Sequence, residues 1–319
     1  MPAPLHSEAT RQMQPNRSPA KPSAYPSHHL CWRAAFLLYL ACSLTNLLPE
    51  PTTMLNQMLL PLSLYHKAKE LIWDPRDIDL AQDVRDWQRM GERERDIIAR
   101  LSAQFLGGEI AVTHDLAPLL AAIRRQGGLL EEEMFLTTQL FEESKHVEWF
   151  DRWWNAMGAP QLPAFSAPYR QLFEVELPAA LSRLLHDDSP RAQVEAIATY
   201  HIIIEGVLAE TGYHGYARAL RDHGLMPGTV RGVELVQRDE ARHIAYGLYA
   251  LGRLLQSEPA LWDALMTRLN ALLPLALDIV SETFAPYGDE VPFGLEPAAF
   301  IAYASEQFDH RLSALERSR

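Results

Sequence analysis

Two Glu-x-x-His motifs constrain this chain of 319 residues more than any other feature. Residues 143–146 read Glu-Ser-Lys-His, and residues 240–243 read Glu-Ala-Arg-His. Residues three apart on a helix lie on the same face, so each motif can hold one cation from one side of a helix. A single motif is weak evidence, because a chain with 25 glutamates and 12 histidines yields about one by chance.

The surroundings of the two motifs repeat as well. Glu109 precedes Glu143 by 34 residues, and Glu205 precedes Glu240 by 35 residues, in each case on the preceding predicted helix. The 62 residues between Glu143 and Glu205 are enough for a crossover between two similar helical hairpins. One Glu from each of two helices and Glu-x-x-His from two others is the ligand pattern of ferritin-like di-metal bundles.

Charge and burial favour a metal centre built from these residues. Two divalent ions balance four carboxylates and two neutral imidazoles, whereas four buried carboxylates alone would repel one another. A lone Glu on a helix is usually a solvated surface residue, but apolar residues flank Glu109 and Glu205 on both sides. Both cysteines, at positions 31 and 42, precede the motifs, so we expect no thiolate site in the body. Carboxylates and imidazoles suit iron and manganese.

The rest of the sequence predicts an all-α fold, a ferritin-like helical bundle with a di-metal carboxylate core. Apolar residues recur three and four apart from residue 79 onward. This spacing predicts helices over 79–90, 92–125, 129–157, 170–186, 190–223, 228–256, 259–284 and 296–316. The body has no GxSxG motif and no glycine-rich phosphate loop after a strand pattern, which excludes α/β-hydrolases and nucleotide-binding folds.

Residues 1–53 differ from the domain predicted over residues 54–319. Residues 1–29 are rich in Pro, Ser, Ala and His and are typical of disorder, and residues 34–48 form an apolar run. That run is shorter than the ~20 residues of a membrane span. Two interpretations stay open: a signal-like segment, or an upstream gene-model extension with Met54 as the start. We expect a cytoplasmic protein, with export as the alternative. The net charge of −12 argues against nucleic acid as a partner.

On these motifs the chain resembles the ribonucleotide reductase small-subunit superfamily. More closely it is similar to the ribonucleotide-reductase-small-subunit-like ligand-binding oxidases. The resemblance covers about residues 64–316, and its matching stretches are KAKELIWDPRDID (67–79), GGEIAV (107–112), EEEMFLTTQLFEESKHVEWF (131–150), TYHIIIEGVLAETGY (199–213) and RDEARHIAYG (238–247).

The resemblance implies a cofactor of one manganese and one iron ion per chain, or two irons. It assigns Glu109, Glu143 and His146 to the first metal, manganese. It assigns Glu205, Glu240 and His243 to the second metal, iron, with Glu143 bridging. It also implies a homodimer that activates dioxygen and binds a long-chain fatty acid, the carboxylate on the metals and the tail in an apolar tunnel. An ether cross-link joins Val112 to Tyr200 in this pattern.

Geometry adds expectations for residues around the ligands. Tyr200 precedes Glu205 by five residues, about 140° around an ideal helix, so a shared site requires a distortion such as a π-bulge. Asp239 is a natural acceptor for a ligand imidazole, with a surface acid as the alternative. We expect Glu142 and Glu148 to be solvated or ion-paired, and we expect the lining of the ligand pocket to include Ile110, Ile203 and Ile204.

Two features distinguish the chain from a reductase subunit. Reductase subunits usually carry a radical tyrosine four residues after the first histidine, and Phe150 stands there. The last helical pattern runs to about Leu315, which we expect to leave too short a tail for docking on a reductase large subunit. The leading hypothesis is therefore a dioxygen-activating oxidase without a large-subunit partner. The alternatives are a reductase small subunit and a non-enzymatic lipid-binding di-metal protein.

Overall fold

The computed structural model describes residues 55–158 and 164–318, and within these ranges the chain is helical, without a strand. This confirms the all-α prediction for the described part. The helices are α1 (Leu60–Glu70), α2 (Ala81–Arg89), α3 (Glu92–Asp115), α4 (Ala117–Arg125), α5 (Leu130–Met157), α6 (167–183), α7 (190–221), α8 (Pro227–Ser257), α9 (Leu261–Phe284) and α10 (Pro297–Ser318). The predictions for residues 1–53 lie outside the described residues.

Four long helices form the centre of the bundle. Helix α3 packs along α5, α7 packs along α8, and α8 also contacts α5. Helix α1 covers α5 from outside, while α9 and α10 cover α7. Helices that carry an apolar stripe bury it against their neighbours, and here the stripes meet in two adjoining clusters of buried side chains. The centre of the bundle is thus enclosed on several sides.

Local signals explain where the helices begin. The side chain of Ser189 accepts a hydrogen bond from the Ala192 amide at the start of α7. The buried carboxylate of Asp83 accepts from the Gly228 and Thr229 amides, which anchors the start of α8 to α2. Helix α5 ends where Gly158 adopts a φ of 55°, a left-handed conformation that suits glycine.

The observed helices match the predicted ones except in two places. The segment predicted as one helix over 92–125 is interrupted at Leu116, because Pro118 follows and cannot donate to the preceding turn. The predicted set does not include α1, whose eleven residues are held by packing on α5. Two helical stretches, Glu92–Arg125 and Leu261–Tyr287, have the length and composition of membrane spans. Each of them packs buried leucines into the core of the bundle.

Candidate metal centre

Six side chains from the four central helices meet inside the bundle. Helix α3 supplies one Glu, α7 another, and α5 and α8 each supply Glu and His three positions apart, on one helical face. None of the six residues is more than 6% exposed. They are the residues that the spacing singles out, namely Glu109, Glu143, His146, Glu205, Glu240 and His243.

A π-helical segment, Ala198–Ala209, places Tyr200 beside the centre. The wide turn of a π-helix brings residues five apart to the same side, as the sequence argument required. The amide nitrogen Nε2 of Gln139 lies 3.1 Å from the Tyr200 hydroxyl and 3.3 Å from Oε1 of Glu205. Both residues therefore face the same space, and the predicted distortion is confirmed.

The six residues form two overlapping groups, and within each group the candidate ligand atoms lie within 4.8 Å of one another. Glu109 and His146 belong to the first group, and Glu205 and His243 to the second. Glu143 and Glu240 belong to both. Glu143 lies between the groups, where the resemblance assigns a bridging carboxylate, and the structure adds Glu240 as a second one within reach of both.

The donor atoms of these groups fit a pair of divalent cations. Nδ1 of each ligand histidine lacks a well-aligned hydrogen bond in the described chain, as does Oε2 of Glu205 and of Glu240. Nδ1 of His146 lies 3.2 Å from Glu240 Oε1, and Nδ1 of His243 lies 3.0 Å from Glu143 Oε1. Buried polar atoms left without hydrogen bonds are costly, and metal coordination would satisfy all four.

The pKa values of the metal-free centre are shifted because several ionisable groups are buried close together. Burial raises the pKa of Glu109 to about 8, even though His146 opposes the shift. Burial and Glu240 raise the pKa of Glu205 above its ordinary value. Burial alone would lower the pKa of His146, but the charges of Glu109 and Asp239 raise it well above 6.5. The metal-free centre therefore holds protons that two divalent cations would displace.

Each of the two histidines contacts, through Nε2, the acidic residue that stands directly before the other Glu-x-x-His motif. His146 Nε2 lies 3.3 Å from Asp239 Oδ2, and His243 Nε2 lies 2.9 Å from Glu142 Oε2. Asp239 is therefore the acceptor that the sequence suggested. Glu142 is ion-paired as one alternative predicted, but the expectation of a solvated side chain is wrong, since it is 2% exposed. Such partners fix the orientation of the ring and raise the basicity of the ligand.

Two buried cations balance these two carboxylates, and sequence reasoning missed both. Arg242 bridges Asp239 and Glu142 through Nη2, and Lys145 Nζ lies 2.6 Å from Asp239 Oδ2. The indole nitrogen of Trp73 also donates to Asp239 Oδ2, at 2.7 Å. A signal for the cations was present in the sequence. Both motifs read acid-Glu-x-base-His. Each therefore places an acid and a base beside candidate ligands that must be buried, which indicates that the acid and the base are buried as well.

A mostly apolar cavity reaches the centre from one side. Its lining residues surround about 930 Å³ of empty space, a volume that includes open solvent at the mouth, and all four carboxylates of the cluster are among them. Val112, Tyr200 and Ile204 line it too. The expectation for Ile110 is wrong, because that side chain is 40% exposed; it follows Glu109 directly and so points about 100° away. The expectation for Ile203 is also wrong, because this side chain is buried in the core and does not line the cavity.

Two aromatic residues lie at or near the cavity wall: Tyr213 lines the cavity, and Phe150 packs on the lining residue Phe105. The Tyr213 hydroxyl lines the cavity and makes no hydrogen bond in the described chain, although the residue is 2% exposed. Burial and the nearby carboxylates, Glu240 first among them, raise the pKa of Tyr213, so its phenol keeps its proton. Phe150 stacks on Phe105 at a ring distance of 5.1 Å and is 2% exposed. The position four residues after His146 thus offers no phenol.

Comparisons with known proteins agree with this architecture. The family model for the small chain of ribonucleotide reductase matches residues 61–318. Among solved structures, a Tyr-to-Phe variant of an R2-like ligand-binding oxidase with an aerobically reconstituted Mn/Fe cofactor matches with a TM-score of 0.78 and 32% identity. That match covers 81% of this chain and 94% of the other.

Two further matches differ in their cofactor or its treatment. An R2-like ligand-binding oxidase with an aerobically reconstituted Mn/Fe cofactor after a long soak gives a TM-score of 0.76 and 33% identity. It covers 80% of this chain and 92% of that one. A Gly-to-Leu variant with an Fe/Fe cofactor gives 0.77 and 32%, with coverages of 81% and 94%. The ferritin-like arrangement of the bundle is thereby confirmed.

Proposed function

Because the chain belongs to the R2-like ligand-binding oxidases of the ribonucleotide reductase small-chain family, it is a di-metal oxidoreductase, and we propose that it oxidises C–H bonds beside a bound long-chain fatty acid. One observation carries the proposal. A single, mostly apolar cavity within the bundle is lined by the four candidate ligand carboxylates, by Val112 and by Tyr200. The polar head of a ligand in that cavity would reach the metals. The C–H bonds next to the head would then lie close to the site where dioxygen reacts.

The proposed cofactor is one manganese and one iron ion, with two irons as the alternative. Glu109, Glu143 and His146 would hold the first metal, manganese. Glu205, Glu240 and His243 would hold the second metal, iron, with Glu143 shared. When bound and reduced, this pair supplies the electrons that activate dioxygen. The chain fixes the ligand geometry and keeps the surroundings dry, since every ligand is buried.

The shape and lining of the cavity support a carboxylic lipid as the ligand. Along α3 the lining runs from Glu109 back to Ile97, twelve residues or about 18 Å of helix. Apolar side chains dominate this length, as they do in pockets for lipid tails. At the metal end the unpartnered Tyr213 hydroxyl can donate to a carboxylate oxygen of the ligand. A head with a negative charge and a long apolar tail suits both ends.

We further propose that Val112 and Tyr200 become joined by an ether bond. The Val112 Cβ–H bond and the Tyr200 O–H bond would break, and a Cβ–Oη bond would form. Two electrons pass to dioxygen and two protons leave. Burial and Glu143 raise the pKa of Tyr200, so the phenol starts protonated. Its proton has an acceptor in place, because the hydroxyl already donates to Glu143 Oε1.

Two alternatives remain to be separated from the oxidase. A reductase small subunit needs a radical site near the metals, and the buried Phe150 argues against the usual one. A lipid carrier would use the metals as an anchor for the carboxylate without turnover. Family membership also leads us to propose a homodimer, which light scattering on the purified protein would test.

The decisive experiment supplies dioxygen to the reduced, metal-loaded protein together with a saturated long-chain fatty acid. Oxygen uptake is followed with an electrode, and the lipid is analysed by mass spectrometry. We expect uptake and an oxidised product with the native protein and neither with Glu143→Ala. Lipid recovered unchanged, with no uptake, would favour the carrier. Ribonucleotide reduction in the presence of the host's reductase large subunit would favour the reductase.

A further inference from the structure

The carboxylate behind His146 is shared among many donors. Asp239 Oδ2 lies 3.3 Å from His146 Nε2, and it also accepts from Trp73 Nε1 at 2.7 Å and from Lys145 Nζ at 2.6 Å. Its other oxygen accepts from Arg242 Nη2 at 2.6 Å. Asp239 is fully buried and Lys145 is 4% exposed, so water contributes little screening here. Two cations and an indole thus compete with the imidazole for one carboxylate.

The carboxylate behind the other ligand histidine has fewer donors. Glu142 accepts from His243 Nε2 at 2.9 Å and from Arg242 Nη2. Arg242 touches Glu142 and Asp239 alike, so it cannot make the two histidines different. Among the described residues, the hydrogen bonds of Lys145 and Trp73 reach Asp239 and not Glu142. These two side chains make the surroundings of the two metal positions unequal.

This difference changes how strongly the nitrogen of each imidazole donates its electron pair to a metal. A carboxylate that accepts the distal N–H of a ligand histidine raises the basicity of that histidine. A second cation on the carboxylate offsets its negative charge and so reduces this effect. The distance from His146 Nε2 to Asp239, 3.3 Å, exceeds the 2.9 Å from His243 Nε2 to Glu142, as expected for a weaker interaction. Manganese(II) binds nitrogen and oxygen ligands less tightly than iron(II), and iron gains more from a strong nitrogen donor. A weakly donating histidine therefore reduces the advantage of iron.

We propose that Lys145 is a specificity-determining residue that lets manganese compete with iron at the first metal position. By neutralising Asp239 it keeps His146 a weak donor, while His243, backed by Glu142, remains a strong one. Trp73 acts in the same direction with a neutral donor, so its effect is smaller. The inference rests on the proposed assignment of manganese to Glu109, Glu143 and His146.

The test measures which metal occupies each position. Full-length native protein and the Lys145→Met variant are loaded anaerobically with equal amounts of manganese(II) and iron(II), and crystals are measured by anomalous diffraction at both absorption edges. We expect the Mn:Fe ratio at the first position to fall about tenfold in Lys145→Met, at the low end of the effect of such partners on metal affinity. The second position should keep its iron.

Three controls distinguish charge from general disruption. Lys145→Arg keeps the cation and should retain the native ratio. Arg253→Met removes a cation from the buried Glu132, a carboxylate outside the metal ligands, and should not alter the ratio. Trp73→Phe removes a donor from the same oxygen of Asp239 without changing charge, and should shift the ratio toward iron by a smaller factor. It provides the measurement if Lys145→Met does not fold.

The outcomes separate this inference from the proposal on which it rests. Iron at both positions of the native protein would contradict the assignment of manganese to the first position. Manganese at the first position of the native protein, with an unchanged or higher ratio in Lys145→Met, would overturn the role of Lys145 alone. An unchanged ratio in Trp73→Phe, where Lys145→Met cannot be measured, would overturn it as well.

Discussion

The Tyr200 hydroxyl donates a 2.5 Å hydrogen bond to Oε1 of Glu143, one of the two carboxylates common to both groups of candidate metal ligands. Gln139 lies 3.1 Å from the same hydroxyl and limits its rotation. The phenol oxygen is therefore held at the metal end of the cavity, which Val112 also lines. Both residues are buried, Val112 at 4% exposure and Tyr200 at 0%. This arrangement positions the two groups that the proposed cross-link would join.

The cross-link gives the first prediction. Digests of metal-loaded protein exposed to air should contain one fused peptide that carries Val112 and Tyr200, lighter by two hydrogens than its two parts. Protein kept anaerobic and the Tyr200→Phe variant should give separate peptides. Tyr169→Phe, which removes another phenol along the cavity, should still give the fused peptide. Unmodified Val112 and Tyr200 peptides from fully metallated, aerated native protein would refute the cross-link.

Metal content gives the second prediction. Glu143→Ala should lose most of the metal at both positions, because this carboxylate belongs to both ligand groups. The native protein should contain close to two transition-metal ions per chain by elemental analysis, as the charge sum of the ligands requires. Glu148→Ala alters an exposed acid on the same helix and should leave the content unchanged. Full metal content in Glu143→Ala would contradict the assignment.

The third prediction concerns the pH dependence of the metal-free protein. Glu109 has a folded-state pKa of about 8 against an ordinary value of 4.5. The folded state thus binds a proton that the unfolded state has released, and the resulting stability is present below pH 4.5 and is lost as the pH rises to 8. For Glu109 alone the change is at most roughly 5 kcal/mol. The raised pKa values of the two ligand histidines act in the same direction.

Thermal unfolding of chelator-treated protein measures this effect. We expect the Tm of the metal-free protein to fall between pH 5 and pH 8.5, and to fall less in Glu109→Gln, which has no proton to lose. Metal binding near pH 7 should release protons, seen as a dependence of the calorimetric heat on the ionisation enthalpy of the buffer. A Tm that stays constant over this range would show that Glu109 is ionised without metal.

The clustering of the six candidate ligand residues could be predicted from the sequence because helical spacing determines which side chains share a face. Glu143 and His146 are three apart on one helix, and their partners repeat at nearly equal distances, so periodicity alone brings them together. The same logic required the π-helical segment that brings Tyr200 round to Glu205. The expected cavity lining failed for Ile110, because adjacency to Glu109 in sequence was taken as adjacency in space, and for Ile203, which packs into the core.

The surroundings of the ligands could not be predicted in the same way. Glu142 and Lys145 have the composition of a solvated helical surface, and only the packing of α5 against α8 shows that both are buried. Their partners lie about a hundred residues away in sequence, as with Glu142 and Arg242. Trp73 comes from a loop before α2, and no periodicity connects it to Asp239. The repeated acid-Glu-x-base-His pattern indicates that charged residues are buried beside the motifs, but nothing local in the sequence indicates which residues they contact.

The last prediction concerns the length of the bound lipid. Ala219 lines the cavity and lies fourteen residues beyond Glu205 on α7, about 20 Å from the metal end. Ala219→Phe should fill that end, so lipids extracted from the purified variant should be shorter than those from the native protein. Overpacking costs about 1–3 kcal/mol, so the variant should fold with a lower Tm. Ala271→Phe, on the exposed face of α9, should leave the lipid profile unchanged. Lipid chain lengths in Ala219→Phe that match those of the native protein would place the lipid tail elsewhere. Repeated extraction of the native protein without any fatty acid would refute the lipid ligand itself.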